Sequence, residues 1–156
     1  MKIKLILVGK TAEASVDAIV KDYSQRLQHY TKFEIEIIAT NHHKNETPLK
    51  IKEKEAELLK KKLQDIDWII LLDDKGKSFT SEEFATQIEN WMMQSKKTVA
   101  FVVGGAYGFS DEIYKMANTK ISLSKMTFSH QIIRVVFMEQ LYRAFTIINN
   151  EPYHHA

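Results

Sequence analysis

Apolar residues recur along this chain with two different periods. Short apolar or β-branched runs cover residues 2–8, 33–39, 67–73, 98–104 and 119–124 and predict strands, whereas 12–29, 50–63, 81–93, 111–117 and 130–148 carry apolar residues at helical spacing. Local signals mark the helix starts. Thr80-Ser81-Glu82-Glu83 places a capping hydroxyl and early acids before Phe84, Ile88 and Trp91, and Ser110-Asp111-Glu112 does the same for the next helix. Strand and helix take turns from end to end, so the pattern predicts an α/β fold, a single domain over 1–156, with a mostly parallel sheet covered by helices on both faces. The polar stretch from Thr40 to Pro48 is the longest loop, and neither an internal repeat nor a low-complexity linker interrupts the alternation.

The runs differ in kind. Asp67 to Asp73 is continuously apolar between its ends, as a central strand buried on both faces requires, and Asp73-Asp74-Lys75-Gly76-Lys77 leaves its carboxyl end. Open α/β sheets bind ligands at such ends, so the regions near Leu72, Gly104 and Ser122 to Phe128 are the expected walls of one pocket. The helix from His130 is apolar nearly all round, which predicts cover on most sides and hence a partner subunit. Arg134, Glu139 and Arg143 stand out on it. Glu139 and Arg143, four apart on one face, suit either a structural ion pair or a functional one.

Composition narrows the class. A chain of 156 residues, 44% hydrophobic, is one domain by length and can bury roughly 70% of its unfolded surface. It has no cysteine, so disulfides and thiolate metal sites are excluded, and the histidines lack metal-ligand spacing; no metal site is expected. No signal peptide or spanning run is visible, so a soluble cytoplasmic protein without a membrane partner is expected. With 22 basic and 20 acidic residues the net charge is only +2, too weak a field for general nucleic-acid binding. RNA recognition would have to rest on shape and a local patch. The lysine run from Lys50 to Lys62 is interleaved with Glu53, Glu55 and Glu57 and predicts a solvated helix face, supported by Glu57 and Lys61 at i,i+4.

Three motifs carry candidate chemistry. Gly104-Gly105-x-x-Gly108 lies between a strand and a helix, where glycines admit either a close ligand or a tight turn with none; it matches neither the dinucleotide spacing nor a phosphate loop. Ser122-Leu123-Ser124-Lys125-Met126-Thr127-Phe128 is too polar for a central strand and too apolar for a free loop. It suits a bend whose main-chain groups face a ligand, or a connector that buries Leu123, Met126 and Phe128. The tail Pro152-Tyr153-His154-His155 either frays or reaches over a pocket, where His154 could exchange a proton at neutral pH. Asp73 and Asp74 diverge along a strand end and are not expected to form a catalytic dyad.

In order and spacing, the run Val99 to Gly108, the segment Ser122 to Phe128, the helix with Glu139, Tyr142 and Arg143, and the tail Pro152 to His155 resemble the ribosomal RNA large subunit methyltransferase H family, of the knotted SPOUT class, over the whole chain. The resemblance implies a C-terminal trefoil knot, an obligate homodimer, and S-adenosyl-L-methionine held by Leu72, Gly104 and the run Leu123, Ser124, Lys125, Met126, Thr127 and Phe128. The implied substrate is 23S rRNA of the large ribosomal subunit or assembled ribosome, methylated on ring nitrogen 3 of pseudouridine 1915 in helix 69. With that substrate the expected roles are His154 as base or proton relay, Arg143 as positioning and anion-stabilising group alongside Glu139, and Tyr153 as a surface for the target base. The sequence departs from the family pattern at Ser129, where proline is usual, and at His155, where a basic residue is frequent. The alternatives are a non-catalytic RNA- or ribosome-binding module of the same fold and a different nucleotide-binding α/β protein, such as a small hydrolase.

Overall fold

The computed structural model describes residues 1–155; Ala156, the last residue of the tail, lies outside them. The elements alternate as β1 (Lys2–Val8), α1 (Ala14–Leu27), β2 (Lys32–Ile38), α2 (Pro48–Leu63), β3 (Trp68–Ser78), α3 (Ser81–Met93), β4 (Thr98–Val103), α4 (Asp111–Met116), β5 (Thr119–Ser122) and α5 (Ile132–Ile148). The five strands form one sheet in the order β2-β1-β4-β3-β5, every neighbouring pair parallel.

Alternation of side chains along each strand splits the core in two. Ile3, Leu5 and Leu7 of β1 with Val99, Phe101 and Val103 of β4 pack against α1, α3 and α5, while Ile6, Val8, Ala100 and Val102 face α2 and α4. Helix ends follow local chemistry. Thr80 and Glu83 close a reciprocal capping box at α3, with Glu83 N–H donating to Thr80 Oγ1 at 3.1 Å and Thr80 N–H to Glu83 Oε2 at 2.8 Å. At α2 the hydroxyl of Thr47 caps and Pro48 opens the first turn, so Pro48 belongs to the helix and not to the loop before it.

One expectation needs correction. The polar segment Asp73 to Lys77 does not leave the sheet: β3 runs on to Ser78, pairing Ile70–Leu72 and then, after a register shift, Lys77 and Ser78 with β5. Gly76 makes this possible, because a Cβ there would stand 2.6 Å from the Ile121 main chain. The apolar circumference of α5 is explained partly within the chain, since the helix sits between α1 and α3 and buries Phe137, Met138, Leu141 and Phe145; Ile132 remains 44% exposed. Among the described residues, no helix is long and apolar enough to cross a membrane.

Candidate active site

The carboxyl ends of β4 and β5 and the middle of β3, at Leu72 to Asp74, open into a cavity of about 350 Å³. Leu72, Gly104, Leu123, Ser124, Met126, Thr127 and Phe128 all line it, as expected, and Asp73, Asp74, His130 and Ile133 join them. Lys125 does not. Ser122 Oγ donates to the Ser124 carbonyl at 2.8 Å and Ser124 Oγ accepts from Met126 N–H at 2.9 Å, a tight local turn that leaves Lys125 exposed and off the lining. The buried-connector alternative fails for two of its three residues, since Met126 is 77% and Phe128 39% exposed; only Leu123 packs on the core. Apart from Met126 N–H, the main chain of Met126 to Phe128 makes no hydrogen bond within the described residues, so its donors and acceptors are free.

Behind the glycine turn the packing is close. A Cβ on Gly104 would lie 3.1 Å from the Phe109 ring, and one on Gly105 would lie 2.6 Å from Glu55 Oε1. A side chain at either glycine would therefore press on Phe109 or Glu55 behind the turn, whatever a ligand requires in front. Glu55 of α2 is not solvated as expected but 5% exposed, bonded to His42 Nε2 at 3.1 Å, and its burial pushes the carboxyl above the usual range. Its neighbours on α2 behave as a surface should, although Glu57 pairs with Lys60 at 2.9 Å instead of Lys61. Arg134 of α5, fully buried, donates to the carbonyls of Val8 and Gly9 at 3.0 Å each, to Thr11 Oγ1 at 2.8 Å and to the His130 carbonyl at 3.1 Å. It ties the end of β1 to the segment entering α5, beside the cavity.

The tail does not fray. Glu139 Oε1 accepts from Arg143 Nη2 at 2.5 Å, Arg143 Nε at 3.0 Å and Tyr153 Oη at 3.1 Å, and the Arg143 guanidinium lies 4.8 Å from the Tyr153 ring centroid. The Glu139 carboxylate holds Arg143 still further above its usual range, and burial pushes the Tyr153 phenol up. His154 is held at both nitrogens, Nδ1 3.2 Å from Arg143 Nη1 and Nε2 2.7 Å from Glu82 Oε1. Arginine can only donate, so Nδ1 accepts and the ring proton sits on Nε2, directed at Glu82. That bond in turn holds the Glu82 carboxyl below its usual range. Tyr30 Oη adds a 2.7 Å bond to Glu151. The four residues expected to carry chemistry, Glu139, Arg143, Tyr153 and His154, thus form one cluster, to which the structure adds Glu82. None of them lines the cavity of the same chain.

Residues 1–154 match the family described as Predicted SPOUT methyltransferase. The chain belongs to the SPOUT methyltransferase family. Proteins named Ribosomal RNA large subunit methyltransferase H from Christiangramia forsetii and Parabacteroides distasonis are each 54% identical to it over 156 residues, covering 99% of both chains. Among solved structures it shares its fold with the tRNA (m1G37) methyltransferase of Aquifex aeolicus (TM-score 0.57, 10% identity, 100% of this chain and 76% of that one). A Legionella pneumophila putative methyltransferase solved with bound SAM is also similar (TM-score 0.53, 14% identity, 92% of this chain and 66% of that one). As a SPOUT methyltransferase the chain thus carries two separate assemblies, an open cavity walled by main chain and apolar groups, and a closed cluster of ionisable side chains.

Proposed function

We propose that this SPOUT methyltransferase uses S-adenosyl-L-methionine to methylate ring nitrogen 3 of a pseudouridine in helix 69 of large-subunit ribosomal RNA, working as a cytoplasmic homodimer. The observation that carries this reading is the full-length 54% identity to the two methyltransferase H proteins. The cavity fits the cofactor. Its free main-chain groups at Met126 to Phe128 can read an adenine edge, Leu72, Leu123 and Phe128 can enclose the rings, and the glycine turn leaves room for the ribose. When bound, the cofactor supplies a methyl group activated by the sulfonium. Gly104 and the run from Leu123 to Phe128, with Lys125 now placed outside it, are the binding residues in this reading.

The remaining work falls to the tail cluster. The target nitrogen must lose a proton, and His154 Nδ1 is the acceptor once Arg143 Nη1, which donates to that lone pair at rest, turns to the substrate. Glu82 keeps the other ring proton in place and stabilises the imidazolium that forms. Arg143, oriented by Glu139, offers its guanidinium to a phosphate or to charge developing on the base, and Tyr153 presents a ring on which the uracil can stack. The tail of one subunit completes the cavity of the other in this arrangement, which supports the dimer. The knotted return of the C-terminal segment belongs to the same proposal and rests on membership of the SPOUT family.

Two measurements test the function. Calorimetric titration should show one S-adenosyl-L-methionine site per chain, and mass spectrometry of ribosomal RNA from a deletion strain should show loss of one methyl group in helix 69, restored by the gene. A chain that binds no cofactor and whose deletion leaves the RNA unchanged would be a binding module instead.

A further inference from the structure

A second cavity, about 340 Å³, opens along the β5 edge of the sheet. Lys75, Gly76 and Lys77 of β3 line one side, and Thr119 and Lys120 of β5 with Tyr114 of α4 line the other. It continues the candidate active site without sharing a residue. Along β3 the lining passes from Leu72, Asp73 and Asp74 to Lys75 and Lys77, and along β5 from Ile121 and Ser122 to Lys120.

The lysines here lack the carboxylate partners that some lysines of β1 and α2 have. Lys2, Lys4, Lys54, Lys60 and Lys62 each pair with a glutamate. Lys75, Lys77 and Lys120 form no ion pair among the described residues; Lys77 Nζ lies 4.8 Å from the Phe79 ring centroid and Lys120 Nζ 5.2 Å from that of Tyr114. Of the nearby acids, one is bonded at the groove wall and the other faces the first cavity. Asp73 accepts from the Tyr114 hydroxyl and from Lys75 N–H at 2.8 Å, and Asp74 lines the first cavity. Lys75 and Lys77, two apart on a strand, share a face. Gly76 between them lets β3 approach β5 closely enough to bring Lys120 to the same groove.

We propose that this groove binds the phosphodiester backbone of the RNA beside the target nucleotide, with Lys75, Lys77 and Lys120 as the phosphate contacts. The proposal rests on the reading of the chain as an RNA methyltransferase. A net charge of +2 gives little long-range attraction, so affinity must come from a few ammonium groups that release counterions on contact. The groove collects three such groups, and its lining adjoins that of the active-site cavity along β3 and β5.

The test compares wild type with the triple variant Lys75→Gln, Lys77→Gln, Lys120→Gln and with a control of equal charge change, Lys4→Gln, Lys21→Gln, Lys62→Gln, all able to bind S-adenosyl-L-methionine by titration. The substrate is ribosomes from a deletion strain. The groove variant should raise KM for ribosomes about tenfold with kcat within about twofold, flatten the slope of log(kcat/KM) against log salt by about 2, and escape competition by oligouridylate. The control should behave as wild type. An unchanged KM overturns the proposal. So does a raised KM with an unchanged salt slope and no competition by oligouridylate against wild type, which would assign the groove to an acidic protein segment. If wild type methylated no ribosomal RNA, the function would fall separately; anisotropy with labelled oligouridylate would then decide the groove, equal affinity of wild type and triple variant removing it.

Discussion

The cavity at the ends of β4 and β5 and the middle of β3 has glycine and bare main chain for a floor and Leu123, Met126 and Phe128 for a rim, with Asp73 and Asp74 its only carboxylates among the described residues. The tail cluster packs Glu82, Glu139, Arg143, Tyr153 and His154 against one another with every bond made inside the chain. On the proposed reading, the difference means that holding a ligand and moving a proton fall to different parts of the molecule. A pocket read by main chain tolerates changes of side chain but not of backbone path. A cluster of interlocked charges tolerates neither loss nor reversal of a member, because each remaining group would be left half-buried and unpartnered.

The sharpest way to separate the two is His154→Ala, which should lower kcat by roughly 10²–10⁴-fold while calorimetry finds S-adenosyl-L-methionine affinity unchanged. Full turnover at every pH would move proton transfer out of the tail. Mixing this variant with a Thr127→Trp chain, first shown to bind no cofactor, asks whose cavity the tail serves. Half the dimers should be mixed, each with one intact site, so about a quarter of wild-type activity should reappear if the tail acts across the interface. A mixture as inactive as its parents, with subunit exchange verified, would place both assemblies in one subunit's site.

A smaller effect probes the back of the pocket. Gly105→Ala should cost about 1–3 kcal/mol in urea melts by driving a methyl group into the Glu55 carboxylate, and Glu55→Ala in the same chain should recover at least about 0.5 kcal/mol of it. Strictly additive losses would mean that the turn and Glu55 do not press on each other.

The smallest concerns pH. Burial raises the folded-state carboxyl of Glu55, so the folded chain prefers it protonated and is penalised once the pH exceeds that raised value; the penalty vanishes below the ordinary carboxylate range. Glu55→Gln should therefore melt above wild type near pH 8, and the gap should close as the pH falls into the acid range. A gap that widened on acidification would mean that the His42 bond, and not burial, dominates.

Much of this arrangement could be read from the sequence because period and capping are local properties. The five strands, five helices and convergence of Leu72, Gly104 and Leu123 to Phe128 followed from runs and carboxyl ends. What escaped depended on contacts distant in sequence. Asp73 to Lys77 has the composition of a loop and becomes strand only because Gly76 lets β5 approach. Glu55 looked like one acid among lysines, although Ile51, Glu55 and Leu59 at i, i+4 and i+8 placed it on the buried face of α2. Glu82 was visible only as a helix-start acid, since nothing in the chain order links α3 to a histidine 72 positions later.

The outermost strand β2 has a consequence for the molecule in a crowded solution. Its flank carries Lys32, Glu34 and Glu36, and the last two are fastened to Lys2, Lys4 and Lys62 by bonds of 2.6–3.7 Å. A newly made chain that met this border strand-to-strand would have to strip those charges of water and partners before its own backbone could join the ladder. This border therefore acts as a guard against runaway stacking of sheets at the β2 side.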